Sequence, residues 1–309
     1  MLTRRRVLRR LLTLLGLTTI LWLMASLAAA YWLTRRPHRL FPEPPPTVAW
    51  GTFEPERLRT RDGQELGAWY RKGEAEGPSV LLLHGNRGCR WNCLDRAEIY
   101  AGRGCSVLLI SFRAHGDSTG EFNDVGYGSR EDVISAVEFL ERRRPGRPIL
   151  VHGVSMGAAV ATFASRALAH RVQGYILESP YRDLKVAVRN RTRASLPPVL
   201  DWVAYRGLVT VSPVFLPELD HISPLAAIEG IPGDVPVLML AGDAAHLARP
   251  AETRALFDRI RSHATLVTFE NAGHHNLLAT APDPYKRAVL KFVDAVNSSR
   301  SPQPDSKTD

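Results

Sequence analysis

Cysteine is scarce in this chain: three residues in 309, Cys89, Cys93 and Cys105. That is too few for a small disulfide scaffold, and the spacing lacks the paired arrangement of a zinc site, although a Cys89–Cys93 link stays open. Acidic residues are missing altogether from positions 1–39, which carry eight arginines (Arg4, Arg5, Arg6, Arg9, Arg10, Arg35, Arg36 and Arg39). Taking those eight from the formal net charge of +9 leaves about +1 for everything downstream. The globular part is therefore near neutral, and a nucleic-acid partner loses the support that the overall charge first gives it. No internal repeat is evident, which argues against a solenoid or propeller.

What the N-terminus does have is an uncharged stretch from Leu11 to Leu33. As a helix it would run roughly 34 Å at 1.5 Å per residue, enough for a bilayer core of about 30 Å. Its length favours an uncut membrane anchor over residues 1–34, although Ala28-Ala29-Ala30 could serve as a cleavage site and Thr3-Arg4-Arg5-Arg6-Val7-Leu8-Arg9 resembles a twin-arginine export signal. Five arginines precede the stretch and three follow it, an asymmetry that puts the N-terminus in the cytoplasm and the remainder of a single-pass protein outside. Residues 35–50 hold Phe41-Pro42-Glu43-Pro44-Pro45-Pro46, which reads as a stiff linker holding the following domain off the membrane.

Residues 51–297 read as one α/β domain. Strand-length apolar runs at 79–83, 106–111, 148–152, 174–177, 236–240 and 264–269 alternate with helix-like stretches at 130–143, 156–169, 251–262 and 284–296. This is the pattern of a mostly parallel sheet covered on both faces. Segments 53–60 and 65–71 alternate like an antiparallel edge hairpin turning at Asp62-Gly63. The alternation breaks between 180 and 232, where several prolines and Trp202, Tyr205 and Phe215 suggest a small helical cap. The Ser/Pro-rich end, 298–309, reads as a disordered tail.

The strongest chemical signal is Gly153-Val154-Ser155-Met156-Gly157, a G-x-S-x-G that follows a strand and opens a helix. That context is what a nucleophilic serine on a sharp turn needs, with small neighbours letting adjacent backbone pass. A serine hydroxyl is a weak nucleophile until an imidazole takes its proton, and His274 follows the last strand in the right chain order. The competitor is its neighbour His275. A His-His metal site is disfavoured because no cluster of carboxylates or cysteines accompanies the pair.

With these residues and three further motifs the chain resembles the α/β-hydrolase superfamily. The motifs are Leu83-His84-Gly85-Asn86-Arg87-Gly88, similar to the H-G-N-x-G loop of its membrane-associated esterase, thioesterase and peptidase-like branch; Arg113-Ala114-His115-Gly116-Asp117-Ser118, similar to R-G-H-G-x-S with alanine for the first glycine; and Ala272-Gly273-His274. The resemblance implies an α/β-hydrolase fold, Ser155 as nucleophile, His274 as general base, and the backbone N–H groups of Asn86 and Met156 as an oxyanion hole. His84 and His115 are expected to brace loops and His152 to pack at a strand end. Relatives often carry G-x-x-D after the next-to-last strand, but here that fourth position is Ala245. Asp243 lies two residues early and is the preferred acid, with Glu178 as the alternative and an acid-less site as the third option.

The expected activity is acyl transfer to water from an ester, thioester or amide, on a small-molecule or lipid-like acyl substrate, with no cofactor implied. A catalytically weak fold used as a membrane-tethered binding protein, or a serine peptidase, are the alternatives. The acyl group, the leaving group and the oligomeric state are not legible from one sequence.

Overall fold

A computed structural model describes residues 2–36, 40–274 and 277–298. Its centre is an eight-stranded sheet of β1 (Glu54–Arg59), β2 (Glu65–Arg71), β3 (Ser79–Leu83), β4 (Ser106–Ile110), β5 (Ile149–Val154), β6 (Gly174–Glu178), β7 (Val237–Gly242) and β8 (Ala264–Phe269), in the order β1-β2-β4-β3-β5-β6-β7-β8. The β1–β2 and β2–β4 pairings are antiparallel and the remainder parallel. The edge hairpin and the apolar runs thus become strands as the alternation predicts. Strands β3, β4, β6 and β7 are buried along their whole length, as unbroken Val/Ile/Leu runs require when both sheet faces are covered.

The covering helices are α2 (Leu94–Gly102), α3 (Arg130–Arg143), α4 (Met156–Leu168), α8 (Pro250–Arg259) and α10 (Pro282–Ser298). Two shorter turns, α7 (Pro224–Ala227) and α9 (Leu277–Thr280), complete the layers. Helix α4 buries Ala158, Ala159, Ala161 and Ala164, side chains small enough to seat its axis close to the sheet. The segment between β6 and β7 is helical, with α5 (Leu184–Ser195) and α6 (Leu200–Phe215) forming a cap packed on α4 through Ala159, Phe163, Leu184 and Ala187.

The N-terminal helix α1 (Leu2–Leu33) includes one stretch, Arg4–Leu33, long and apolar enough to cross a membrane. It also packs along α6: the Trp22 indole donates to Val203 O at 3.2 Å, and a methyl at Gly207 would fall 2.1 Å from Ser26 Oγ, so glycine sets the approach of the two helices.

The proline-rich segment departs from the expectation of a spacer. Glu43 is buried on the domain, where its Oε2 accepts from Arg90 Nη1 at 3.1 Å, Ser111 Oγ at 2.7 Å and the Asp117 N–H at 3.2 Å, while its carbonyl accepts from Trp69 Nε1 at 3.1 Å and Arg90 Nη2 at 2.7 Å. The physical reason is charge: Arg90 is itself buried, and Asp117 and Glu43 together neutralise and hydrogen-bond it. All three cysteines are free, so the Cys89–Cys93 link does not form. Burial pushes the thiols of Cys93 and Cys105 up to about 12.

Candidate active site

Parallel strands bring their C-terminal ends to one edge of the sheet, and the sequence-predicted residues lie there. Strand β5 runs two residues past its expected end and passes directly into α4 through Ser155, whose φ of 54° and ψ of −110° put a non-glycine residue in a sparsely populated region at a cost of about 1–3 kcal/mol. The turn is held from behind, the Ser155 N–H donating to Glu178 O at 2.7 Å. Both flanking glycines have a steric reason. A methyl on Gly153 would lie 2.3 Å from the Gly157 carbonyl, and one on Gly157 would lie 2.4 Å from Leu83 O at the end of β3.

His274 follows β8 and directs its Nε2 to within 2.9 Å of Ser155 Oγ, with both residues buried. The loop carrying it is laced to the loop after β7: Asp243 N–H donates to Phe269 O and Ala244 N–H to Ala272 O, both at 3.1 Å. A methyl on Gly242 would fall 2.1 Å from Ala272 O, so this crossing also needs glycine. His275, the rival base, lies outside the described residues.

Opposite the histidine runs the loop after β3. Gly85 brings it against Ser155, since a methyl there would reach 3.6 Å from Ser155 Cβ. Met156 is the first residue of α4, so its N–H has no acceptor within the helix. No hydrogen bond among the described residues takes up the Asn86 N–H; the Asn86 side chain is held apart, accepting from Asn123 Nδ2 at 2.9 Å. His84 and His115 brace the loops. His84 donates from Nδ1 to Gly85 O at 2.7 Å and accepts the Phe112 N–H on Nε2 at 3.1 Å, while His115 Nε2 accepts from the Arg87 N–H at 3.3 Å. Ala114, standing where glycine is usual, has φ of 60°, which explains the glycine preference at that point.

The two candidate acids differ sharply. Glu178 is the last residue of β6 and is fully buried, with Oε1 accepting from Arg96 Nη2 at 2.5 Å and Oε2 from Arg96 Nε at 2.8 Å and the Tyr285 hydroxyl at 2.7 Å. Burial alone would raise its carboxyl, but the Arg96 guanidinium, helped by His152, overrides this and holds it below the ordinary carboxylate range. Asp243 sits on the expected loop with its side chain exposed, and none of the hydrogen bonds or ion pairs among the described residues involves its carboxylate. Ala245 is buried. Sequence reasoning missed Arg96, whose pairing with a residue 82 positions away leaves no local signature, and Asn123, the partner of Asn86.

Strand order, the serine turn and the loop positions together define an α/β-hydrolase fold, and the comparisons with known proteins agree. A family model described as serine aminopeptidase, S33, within the hydrolases, matches residues 76–225. An uncharacterized protein of Bacillus subtilis is 26% identical over 72% of this chain and 72% of its own length. The lysophosphatidylserine lipase ABHD12 of Danio rerio is 32% identical over 40% of this chain and 34% of its own. A solved esterase of Pyrococcus furiosus superposes with a TM-score of 0.66 at 23% identity, covering 84% of this chain and 98% of that one. The chain has the α/β-hydrolase fold.

Proposed function

We propose that this protein is a membrane-tethered serine hydrolase that cleaves an ester or thioester bond through an acyl-serine intermediate, with Ser155 as nucleophile and His274 as general base. The observation that carries the reading is the 2.9 Å contact between Ser155 Oγ and His274 Nε2 on a strained strand-to-helix turn. In the proposed cycle Ser155 Oγ attacks the acyl carbonyl as its proton passes to His274 Nε2, and the oxyanion is received by the N–H groups of Asn86 and Met156. The imidazolium then protonates the leaving oxygen or sulfur, and the acyl-serine is hydrolysed by a water that His274 deprotonates. Each oxyanion donor is worth about 3–4 kcal/mol of barrier in such sites.

For the acid we propose Asp243. Both Glu178 oxygens are committed to Arg96 and Tyr285, whereas Asp243 is on the loop tied to that of His274 and keeps its oxygens free. Reaching the imidazole requires the Asp243 side chain to rotate inward from its exposed position. Esterase and lipase relatives support an ester substrate with a lipid-like acyl group. The apolar α1 and its arginine asymmetry support a single-pass anchor with an N-terminus in the cytoplasm and the hydrolase domain outside.

A serine-reactive fluorophosphonate should label the full-length protein, and Ser155→Ala should abolish labelling; undiminished labelling in that variant refutes the nucleophile. Asp243→Asn should lower turnover of a p-nitrophenyl ester by several orders of magnitude if it completes the triad. The exposed Asp243 also favours a second reading, a weakly catalytic fold serving as a tethered binding protein. That reading predicts no turnover of esters, thioesters or peptides by wild type. External protease reaching the domain in intact spheroplasts checks the orientation.

A further inference from the structure

The anchor helix touches the reaction centre through a short bonded path. At its C-terminal end the carbonyl of Thr34 accepts the Asn123 N–H at 2.8 Å, and the Asn123 side chain donates to Asn86 Oδ1 at 2.9 Å in the loop facing Ser155. Trp32 on the same helix lies under the Arg87 guanidinium, 5.5 Å from its ring centroid, which ties the anchor to the neighbouring residue of that loop.

Between this end of α1 and the cap helices runs a cleft, with Leu33 on one wall, Val188 and Leu208 on the others, and Val125 at its inner side. Val125 precedes Gly126, where a methyl would lie 3.2 Å from Met156 Cγ, so the inner side adjoins the residue following the nucleophile. Two lining residues carry hydroxyls, but both turn them into their own helices: Thr34 Oγ1 donates to Ala30 O at 2.8 Å and Ser212 Oγ to Val209 O at 2.9 Å. The one charged lining residue, Lys185, pairs with Asp220 at 2.7 Å, so the rest of the wall offered to a ligand is hydrocarbon. A cleft lined mostly by hydrocarbon selects by apolar area, which suits an acyl chain.

We infer that this cleft receives the acyl chain of the substrate, and that α1 is a specificity-determining wall of the enzyme as well as its tether. The inference rests on the serine-hydrolase reading. Because α1 is also long and apolar enough to span a bilayer, a chain leaving the lipid phase would pass along this helix toward Ser155. Each methylene buried there contributes to acylation, so long chains should react faster than short ones and blocking the cleft should remove that preference.

The test uses the full-length protein in nanodiscs and two fluorophosphonates that differ only in bearing a butyl or a hexadecyl group. Wild type should react faster with the hexadecyl probe. Leu33→Trp on α1 and Ser212→Leu on α6, which place bulk on opposite walls, should each lower the hexadecyl-to-butyl ratio of labelling rates about tenfold, the loss expected when two or so methylenes can no longer be buried. Leu33 is 48% exposed, so its replacement leaves the packed core alone and keeps the test readable if Ser212→Leu folds poorly. A ratio within twofold of wild type in Leu33→Trp overturns the cleft assignment while the hydrolase reading stands. Failure of both probes to label wild type overturns the hydrolase reading and the cleft assignment with it.

Discussion

His84 gives the fold an acid limit that can be worked out. Burial, reinforced by the neighbouring His115, lowers its imidazole from about 6.5 to about 3. The hydrogen bonds explain why the neutral ring is required: Nδ1 already donates to Gly85 O, and Nε2 must stay unprotonated to accept the Phe112 N–H. The sign follows from linkage. In the unfolded chain the ring takes a proton as pH falls below 6.5, while in the folded protein it does not until about 3. Its contribution is complete above the unfolded value and is lost as pH falls through that window. At about 1.4 kcal/mol per pH unit the loss is roughly 3 kcal/mol by pH 4 and roughly 5 kcal/mol over the whole window, a large share of the 5–15 kcal/mol typical of a domain. Urea unfolding in mild detergent at intervals from pH 7 to pH 4 should show the decline. In His84→Asn, less stable at pH 7 because one amide cannot replace both bonds, the slope between pH 6 and pH 4 should fall by about one proton. An unaltered slope in that variant would refute the assignment of the acid limit to His84.

Three further outcomes follow from single contacts. Gly157→Ala should lower kcat/KM by about 100-fold or more, because its methyl meets Leu83 O at 2.4 Å and displaces Met156 and Ser155 together; near-normal turnover would contradict this geometry. At Ala114, glycine should match or exceed alanine in stability, since relief of about 1–2 kcal/mol at φ of 60° offsets roughly 0.8 kcal/mol for the lost buried methyl, whereas valine should cost about 2 kcal/mol or more in urea unfolding. Glu43→Ala leaves buried Arg90 with Asp117 alone and should lower stability by about 3 kcal/mol; a melting temperature equal to that of wild type would show the docked segment to be idle.

Features carried by local spacing were legible in the sequence and features carried by distant pairing were not. The apolar runs were readable because a parallel strand buried on both faces must be apolar throughout, and helix α3 falls on residues 130–143 as its periodicity predicts. Strand ends were less so: β6 includes Glu178, which pairs with Val154 and Leu240 as part of the ladder, because its charge is cancelled by Arg96 from a separate helix. The same kind of distant cancellation hid the docking of Glu43. A Pro-Glu-Pro segment reads locally as a solvated spacer, and only the position of Arg90 in space gives its carboxylate a reason to be buried. Asp243 remains the position where local pattern and geometry meet least well, since its loop is as expected and its side chain faces outward.

The distribution of these bonds bears on what the N-terminal helix does for this fold. A helix acting only as a tether needs no contact with the domain beyond a connecting chain, and a flexible linker would serve it. Here the connection is fixed at successive points: Trp22 on Val203 of the cap, Thr34 on Asn123, Arg36 on the carbonyls of Gly116 and Gly120, and Glu43 on Arg90. Two of those points, Asn123 and Gly116, belong to loops that also meet the Asn86 loop or follow the residues bracing it. Such fastening costs the chain conformational freedom that a tether would keep, so it is expected where the orientation of the site relative to the helix matters to what reaches Ser155.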